Sequence, residues 1–182
     1  MSSALKKEYL PHYTYDDYCG WEGSWELIEG VPYAMSPLPS GKHQWLCGEL
    51  HALFREGLKN CEGCHVSMPM DWKVDDSTVI QPDIFVACFD FKSLKYISEP
   101  PVIIVEVLSP STRDKDVFVK HAIYRQQGVK YYVLVDPDND TYKIQRLTGE
   151  DYLLAQSGHE GVFTFELHDT CLVQIDFAEI WS

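Results

Sequence analysis

Asp83, Glu106 and Lys120 are the residues of this 182-residue chain whose types and spacing suit chemistry. Asp83 follows Pro82 at the head of an apolar run, Ile84 to Phe89. Glu106 lies 23 residues later inside a second run, Val102-Ile103-Ile104-Val105-Glu106-Val107-Leu108. Both runs suit strands buried on both faces. An ionised carboxylate on such a strand is costly unless a metal, a cation or hydrogen bonds compensate it. Lys120 lies on the helix expected directly after the second run. Helical side chains slant toward the helix N-terminus, so Lys120 points back toward the strand end that carries Glu106. Asp116, Lys120 and Tyr124 are spaced i, i+4, i+8 and share one helix face.

The elements that must position these residues follow from pattern. Thr14 is expected to cap a short helix over Tyr15–Tyr18, with Asp16 and Asp17 in its first turn. Residues 25–35 read as two short strands about a turn at Glu29-Gly30, followed by a Pro/Ser/Gly loop over 36–41. From Lys42 to about Asn60, Trp45, Leu46, Leu50, Leu53, Phe54 and Leu58 recur at helical spacing. His65 to Val74 suits one strand, and Asp75 to Thr78 a turn. Ser111 is expected to cap the helix that ends near Gln127 and stops at Gly128. Tyr131 to Asp136 is a third core strand, so residues 102–136 form a βαβ candidate with parallel neighbours. Residues 142–147 and 151–156 read as outer strands, and 175–181 as a short closing helix. The expected class is mixed α/β (α+β), with a central mixed sheet, helices on its faces and added hairpins. One domain over 1–182 is expected, with residues 1–12 as a loose lead-in.

Composition narrows the function. A hydrophobic content of 45% argues against disorder. No apolar run approaches the roughly 18 residues of a membrane span. The first residues lack the apolar core of a signal peptide, so a cytoplasmic protein without an anchor is expected. The net charge of −13 repels phosphate backbones at long range and weighs against casual nucleic-acid binding. It leaves room for a local groove or for an acidic metal site. Six cysteines without a secretory signal are expected as free thiols. Cys61-Glu62-Gly63-Cys64 is a lone CxxC without a second pair, read as a turn that carries two thiols. GxSxG, P-loop and dinucleotide glycine motifs are absent.

Pro82-Asp83 followed by Glu106-Val107-Leu108 resembles the PD-(D/E)XK nuclease motif, with leucine in the lysine slot. The wider pattern resembles the Uma-two family of restriction-endonuclease-like proteins. It comprises Glu26-Leu27-Ile28-Glu29-Gly30, His43, Pro82-Asp83, Glu106 to Thr112, Asp116, Lys120, Tyr124 and Gly128 to Pro137. The resemblance runs from about residue 13 to the C-terminus. It implies a restriction-endonuclease-like core, a divalent metal (Mg²⁺ or Mn²⁺), DNA as substrate and a catalytic lysine moved from strand to helix, which fits Lys120. Under it, Asp83, Glu106 and the Val107 carbonyl are the expected metal ligands. Glu29 or Glu26 is expected to complete the shell or orient Lys120, with Glu29 favoured because a turn residue can swing its carboxylate inward. Asp116, Tyr124 and His43 are expected in supporting roles. A homodimer is expected by analogy with nucleases that cut two strands.

Overall fold

The computed structural model describes residues 11–35, 39–168 and 171–181. Most of the expected lead-in, residues 1–10, lies outside these, as do positions 36–38 of the expected loop. Helix α1 (Tyr15–Tyr18) starts at Thr14, which forms a reciprocal capping box with Asp17. Strands β1 (Trp25–Ile28) and β2 (Val31–Ala34) pair about a turn in which both Glu29 and Gly30 adopt positive φ, 49° and 77°. Helix α2 (Gly41–Gly57) buries His43, Leu46, Cys47, Leu50 and Phe54 on one stripe. A short 3₁₀ turn, Leu58–Asn60, ends it. Then come β3 (His65–Ser67), β4 (Trp72–Asp75), β5 (Thr78–Ile80), β6 (Ile84–Ala87) and β7 (Ile103–Val107). A π-helical segment, Lys115–Lys120, runs into α3 (His121–Gln126). The chain continues through β8 (Tyr131–Asp136), β9 (Thr141–Thr148), β10 (Asp151–Gly158), β11 (Val162–His168) and β12 (Cys171–Asp176) to a closing 3₁₀ turn, Phe177–Trp181.

The main sheet has six strands in the order β10-β9-β8-β7-β6-β3. β7 and β8 pair in parallel, as the βαβ pattern requires, and the other neighbours are antiparallel. A four-stranded sheet, β2-β1-β5-β4, and the β11–β12 hairpin complete the mixed α+β architecture. Alternation along β6 and β7 explains the apolar runs. Ile84, Val86, Ile103, Val105 and Val107 face α2 and the β11–β12 hairpin. Phe85, Ala87 and Ile104 face Trp72, Ile80 and Tyr124. Each strand is therefore apolar on both faces because both are covered. No helix among the described residues is long and apolar enough to cross a membrane.

Several expectations are corrected. The single strand over 65–74 is two strands in different sheets, because Pro69 cannot donate to a ladder and the chain turns there. The expected turn at 75–78 joins β4 to β5, so Thr78 belongs to a strand. The hairpin β11–β12 was not expected, although Phe163, Phe165 and Leu167 alternate with Val162, Thr164 and Glu166. Ile175 and Asp176 finish β12 rather than opening a helix. Ser111 lies in a turn and does not cap the third helix. Instead the Ser109 carbonyl accepts the amides of Thr112 and Arg113. Four of the six cysteines are paired, Cys61 with Cys171 and Cys64 with Cys88, while Cys19 and Cys47 are free. Separations of 110 and 24 residues gave the spacing rules nothing to detect.

The start of α2 offers a direct check on the helix that flanks the cleft. The Ser40 hydroxyl accepts the His43 amide at 3.2 Å. Ser40→Ala should cost about 1 kcal/mol. In a chain of this size that is a fall of about 2–4 °C in melting temperature, readable by calorimetry.

Candidate active site

The antiparallel register Ile84↔Val105 sets Asp83 opposite Glu106 at one end of the β6–β7 pair. By alternation both side chains lie on the face that carries Phe85 and Ile104. Backbone and side chains then interlock. The Asp83 amide donates to Glu106 Oε2 at 3.2 Å, and the Val107 amide donates to Asp83 Oδ2 at 2.8 Å. Leu108, two residues past Glu106, lies in the same apolar layer as Tyr124. The usual lysine slot is thus filled by packing.

The positive charge comes from the following helix. Lys120 Nζ lies 3.0 Å from Glu106 Oε1, 3.0 Å from Glu26 Oε1 and 3.5 Å from Asp116 Oδ1, and it donates to the Gln81 carbonyl at 3.1 Å. Tyr124 donates to Glu106 Oε1 at 2.5 Å. Tyr132 donates to the Asp116 carbonyl at 2.9 Å, which pins the π segment to β8.

The π geometry explains a second lysine that the sequence did not announce. Lys115 pairs with Glu26 Oε2 while Lys120 pairs with Oε1 of the same carboxylate. Residues five apart lie about 140° around an α-helix and cannot share a face. The i→i+5 bonding of a π-helix brings them together, and such segments recur at functional sites. Glu26 is fully buried and also accepts the Gln81 amide at 2.9 Å.

Glu26, not the favoured Glu29, therefore meets Lys120. Glu29 is exposed in the β1–β2 turn, where its left-handed φ of 49° fixes the backbone, while Glu26 projects inward from β1. The structure brings together Asp83, Glu106, Lys120, Asp116, Tyr124, His43 and Glu26. It adds Lys115 and the Gln81 backbone.

The electrostatics are unbalanced toward the negative. Glu26, Asp83, Glu106 and Asp116 bring four carboxyl groups, against the ammonium groups of Lys115 and Lys120. Burial drives the Glu106 carboxyl well above its usual range. Lys120 offsets this in part, and the charges of Asp116 and Asp83 add to it. Asp116 is raised by burial as well. Burial also pushes on Asp83, but the His43 hydrogen bond and charge, Lys120 and the Val107 amide hold it below the ordinary aspartate range. Burial lowers Lys120, yet Glu106, Glu26 and Asp116 outweigh it and keep the ammonium protonated well past the lysine range.

His43 Nε2 is 3.3 Å from Asp83 Oδ2. Burial opposes its protonation, but Asp83 and the Val107 carbonyl raise its pKa overall. Cys47 Sγ lies 3.6 Å from His43 Nδ1, and burial keeps its thiol protonated.

These groups floor a cleft of about 290 Å³, walled by Ser40 and His43 on one side and by residues 108–112 on the other. Lys42, bonded to the Pro137 carbonyl and 2.8 Å from Asp140, ties the start of α2 to the loop after β8. Arg113, 2.9 Å from Asp136, does the same for the third helix.

Comparison with known proteins bears on this cleft. The chain matches the Uma2 family, described as "Putative restriction endonuclease", over residues 13–172. Among solved structures, one from Anabaena variabilis ATCC 29413, described as "a putative nuclease belonging to DUF820", superposes with a TM-score of 0.71. The alignment covers 92% of this chain and 97% of that one at 18% identity, a likeness that shows the shared fold. No curated protein matches.

Proposed function

Since the chain belongs to the Uma2 family, we propose that it is a divalent-metal-dependent nuclease of the PD-(D/E)XK type that hydrolyses phosphodiester bonds in DNA. The observation that carries this reading is the convergence of the Asp83 and Glu106 carboxyl groups, with Lys120 Nζ 3.0 Å from Glu106, at the floor of an open cleft. The donors fit a hard cation. Asp83, Glu106 and the Val107 carbonyl offer oxygen ligands, the kind that Mg²⁺ or Mn²⁺ takes. When bound, the ion supplies Lewis-acid polarisation of the scissile phosphate and charge against the developing anion.

The chain's own residues would do the rest. Lys120 is held as an ammonium by three carboxylates, so it orients the attacking water and offsets charge rather than accepting a proton. Glu26, Asp116 and the Gln81 carbonyl fix the position of its Nζ. Tyr124 fixes the rotamer of Glu106 through a hydrogen bond. His43, hydrogen-bonded to Asp83, sits at the cleft wall, where it can take up or give back a proton near the leaving group. Assembly as a homodimer would present two such clefts to the two strands of a duplex.

The net charge of −13 favours a second reading, hydrolysis of a smaller phosphate ester that needs no basic groove. One assay separates them. Purified protein is incubated with single- and double-stranded DNA, RNA and a small phosphodiester, in EDTA and with Mg²⁺ or Mn²⁺. Metal-dependent DNA cleavage is expected. Turnover confined to the small ester would overturn the nuclease reading in favour of the second, and turnover in EDTA would sink both.

A further inference from the structure

A second cluster of metal-binding side chains lies at the other end of β6. Cys88 follows that strand, five residues from Asp83, which is about 16 Å along an extended chain. Cys61 and Cys64 come from the turn after α2, where the Cys64 amide bonds the Cys61 carbonyl at 3.3 Å and Gly63 takes φ 78°. Cys171 opens β12 directly across from His168, the last residue of β11. The four sulfurs are paired as Cys61–Cys171 and Cys64–Cys88. The pairs adjoin each other. The ligand atoms of Cys64, Cys171 and the His168 imidazole all lie within 4.8 Å of one another.

Four sulfurs of this kind have two stable fates. The disulfides hold Cys61 beside Cys171 and Cys88 beside Cys64, so breaking both leaves four thiols around the close Cys64–Cys171 pair. A tetrahedral zinc with Zn–S bonds of about 2.3 Å draws four such sulfurs to about 3.8 Å apart. A CxxC turn is the usual half of such a site, and Cys88, just after β6, and Cys171, at the start of β12, supply the other half. Cys61, Cys64 and Cys171 are buried, while Cys88 and His168 face solvent and leave an entry path.

We propose that in the reduced protein Cys61, Cys64, Cys88 and Cys171 bind one structural Zn²⁺ as thiolates. The metal ties the end of α2, the end of β6 and the β11–β12 hairpin together as the two disulfides do. Passage between the states balances. Two equivalents of a phosphine reductant and two of water become phosphine oxide as the two S–S bonds break, which delivers four electrons and four protons to give four thiols. Those thiols release their protons to solvent as four Zn–S bonds form. The chain thus has one fastening for oxidising conditions and another for reducing ones, built from the same atoms.

The test uses the full chain reduced with TCEP and titrated with Co²⁺. The expected result is one equivalent bound, with the intense d–d bands and thiolate-to-metal charge transfer of a tetrahedral thiolate site, bleached by one equivalent of Zn²⁺. Cys88→Ser removes an exposed sulfur and should lose that spectrum. Melting the reduced wild type should give a lower Tm in EDTA than in Zn²⁺, a difference absent from Cys88→Ser. If reduction unfolds the apo chain, protein purified under TCEP with zinc present from lysis is counted for metal by mass spectrometry, and one Zn²⁺ per chain is expected. Failure of reduced wild type to bind Co²⁺ or Zn²⁺ tetrahedrally, or an unchanged spectrum and zinc count in Cys88→Ser, would overturn the proposal.

Discussion

Lys120→Met is expected to destabilise the fold by about 3–5 kcal/mol at neutral pH, the usual cost of removing one partner from a buried charge group, and to abolish cleavage. Lys120 is 3% exposed and is the common partner of Glu106, Glu26 and Asp116. Methionine keeps most of the stem's volume, so the loss is electrostatic rather than one of packing.

The pH dependence follows from the direction of each shift. Glu106 and Asp116 titrate above their ordinary values, so their burden on stability is absent below the unfolded pKa and grows as pH rises toward the folded one. Removing Lys120 enlarges that burden. Glu26 is held low by Lys120 and Lys115 against burial, so it contributes stability above its unfolded pKa that is lost as pH falls through the folded value. Without Lys120 part of that contribution disappears at neutral pH. Lys120 itself is raised, so in the wild type its contribution persists until pH exceeds its folded pKa, far on the alkaline side. The two carboxyl effects make the penalty largest at neutral pH and smaller in acid, while the charge of Lys120 itself is constant over that range. Urea denaturation at about pH 7.5 and about pH 3, on either side of the unfolded carboxyl pKa values, measures it. An equal penalty at both would refute the charge account.

The second large effect is expected from Asp83→Asn. The side chain keeps its shape, and its carbonyl oxygen can still accept the Val107 amide. What disappears is one negative charge, held below the ordinary aspartate range and paired with His43. Stability should change by about 1 kcal/mol or less, as for a partly exposed pair. Metal affinity and cleavage should fall by roughly 10³-fold or more, the scale of removing a principal electrostatic group from a preorganised site. Isothermal titration with Mn²⁺ and a DNA cleavage time course read both quantities. Cleavage within tenfold of wild type would remove Asp83 from the chemistry.

The two effects differ in kind. Lys120 is embedded in both fold and site, whereas Asp83 stands at the cleft floor, where function can be lost with little loss of fold. Tyr124 and Glu26 resemble Lys120 in this respect, since each is fully buried.

Much of this frame was legible in the sequence because burial leaves simple marks. Strands β6, β7 and β8 are covered on both faces, and continuous apolar runs are what such strands require, so the carboxylate of Glu106 inside β7 stands out. Lys120 could be reached from the slant of helical side chains alone. The choice between Glu26 and Glu29 could not, since it depends on which residue takes the turn. A free-swinging turn carboxylate is a poor picture when the turn holds its backbone at φ 49°. Lys115 was hidden because its partnership with Lys120 needs five-residue periodicity, and an α-helical reading puts the two on different faces. The cysteine cluster was hidden for a different reason. Its members come from three elements, and only the folded chain shows that they meet.

The π segment has a consequence for how this site tolerates change. Val117, Phe118 and Val119 lie inside it, and Phe118 and Val119 face solvent at 68% and 37% exposure. Their identities are therefore open to drift, but their number is not. The site measures the length of chain between two lysines rather than its content. Substitutions at Phe118 and Val119 should be nearly silent, while the loss of a single residue would tighten the coil and pull Lys115 and Lys120 off their shared carboxylate. The segment works as a spacer, read by counting.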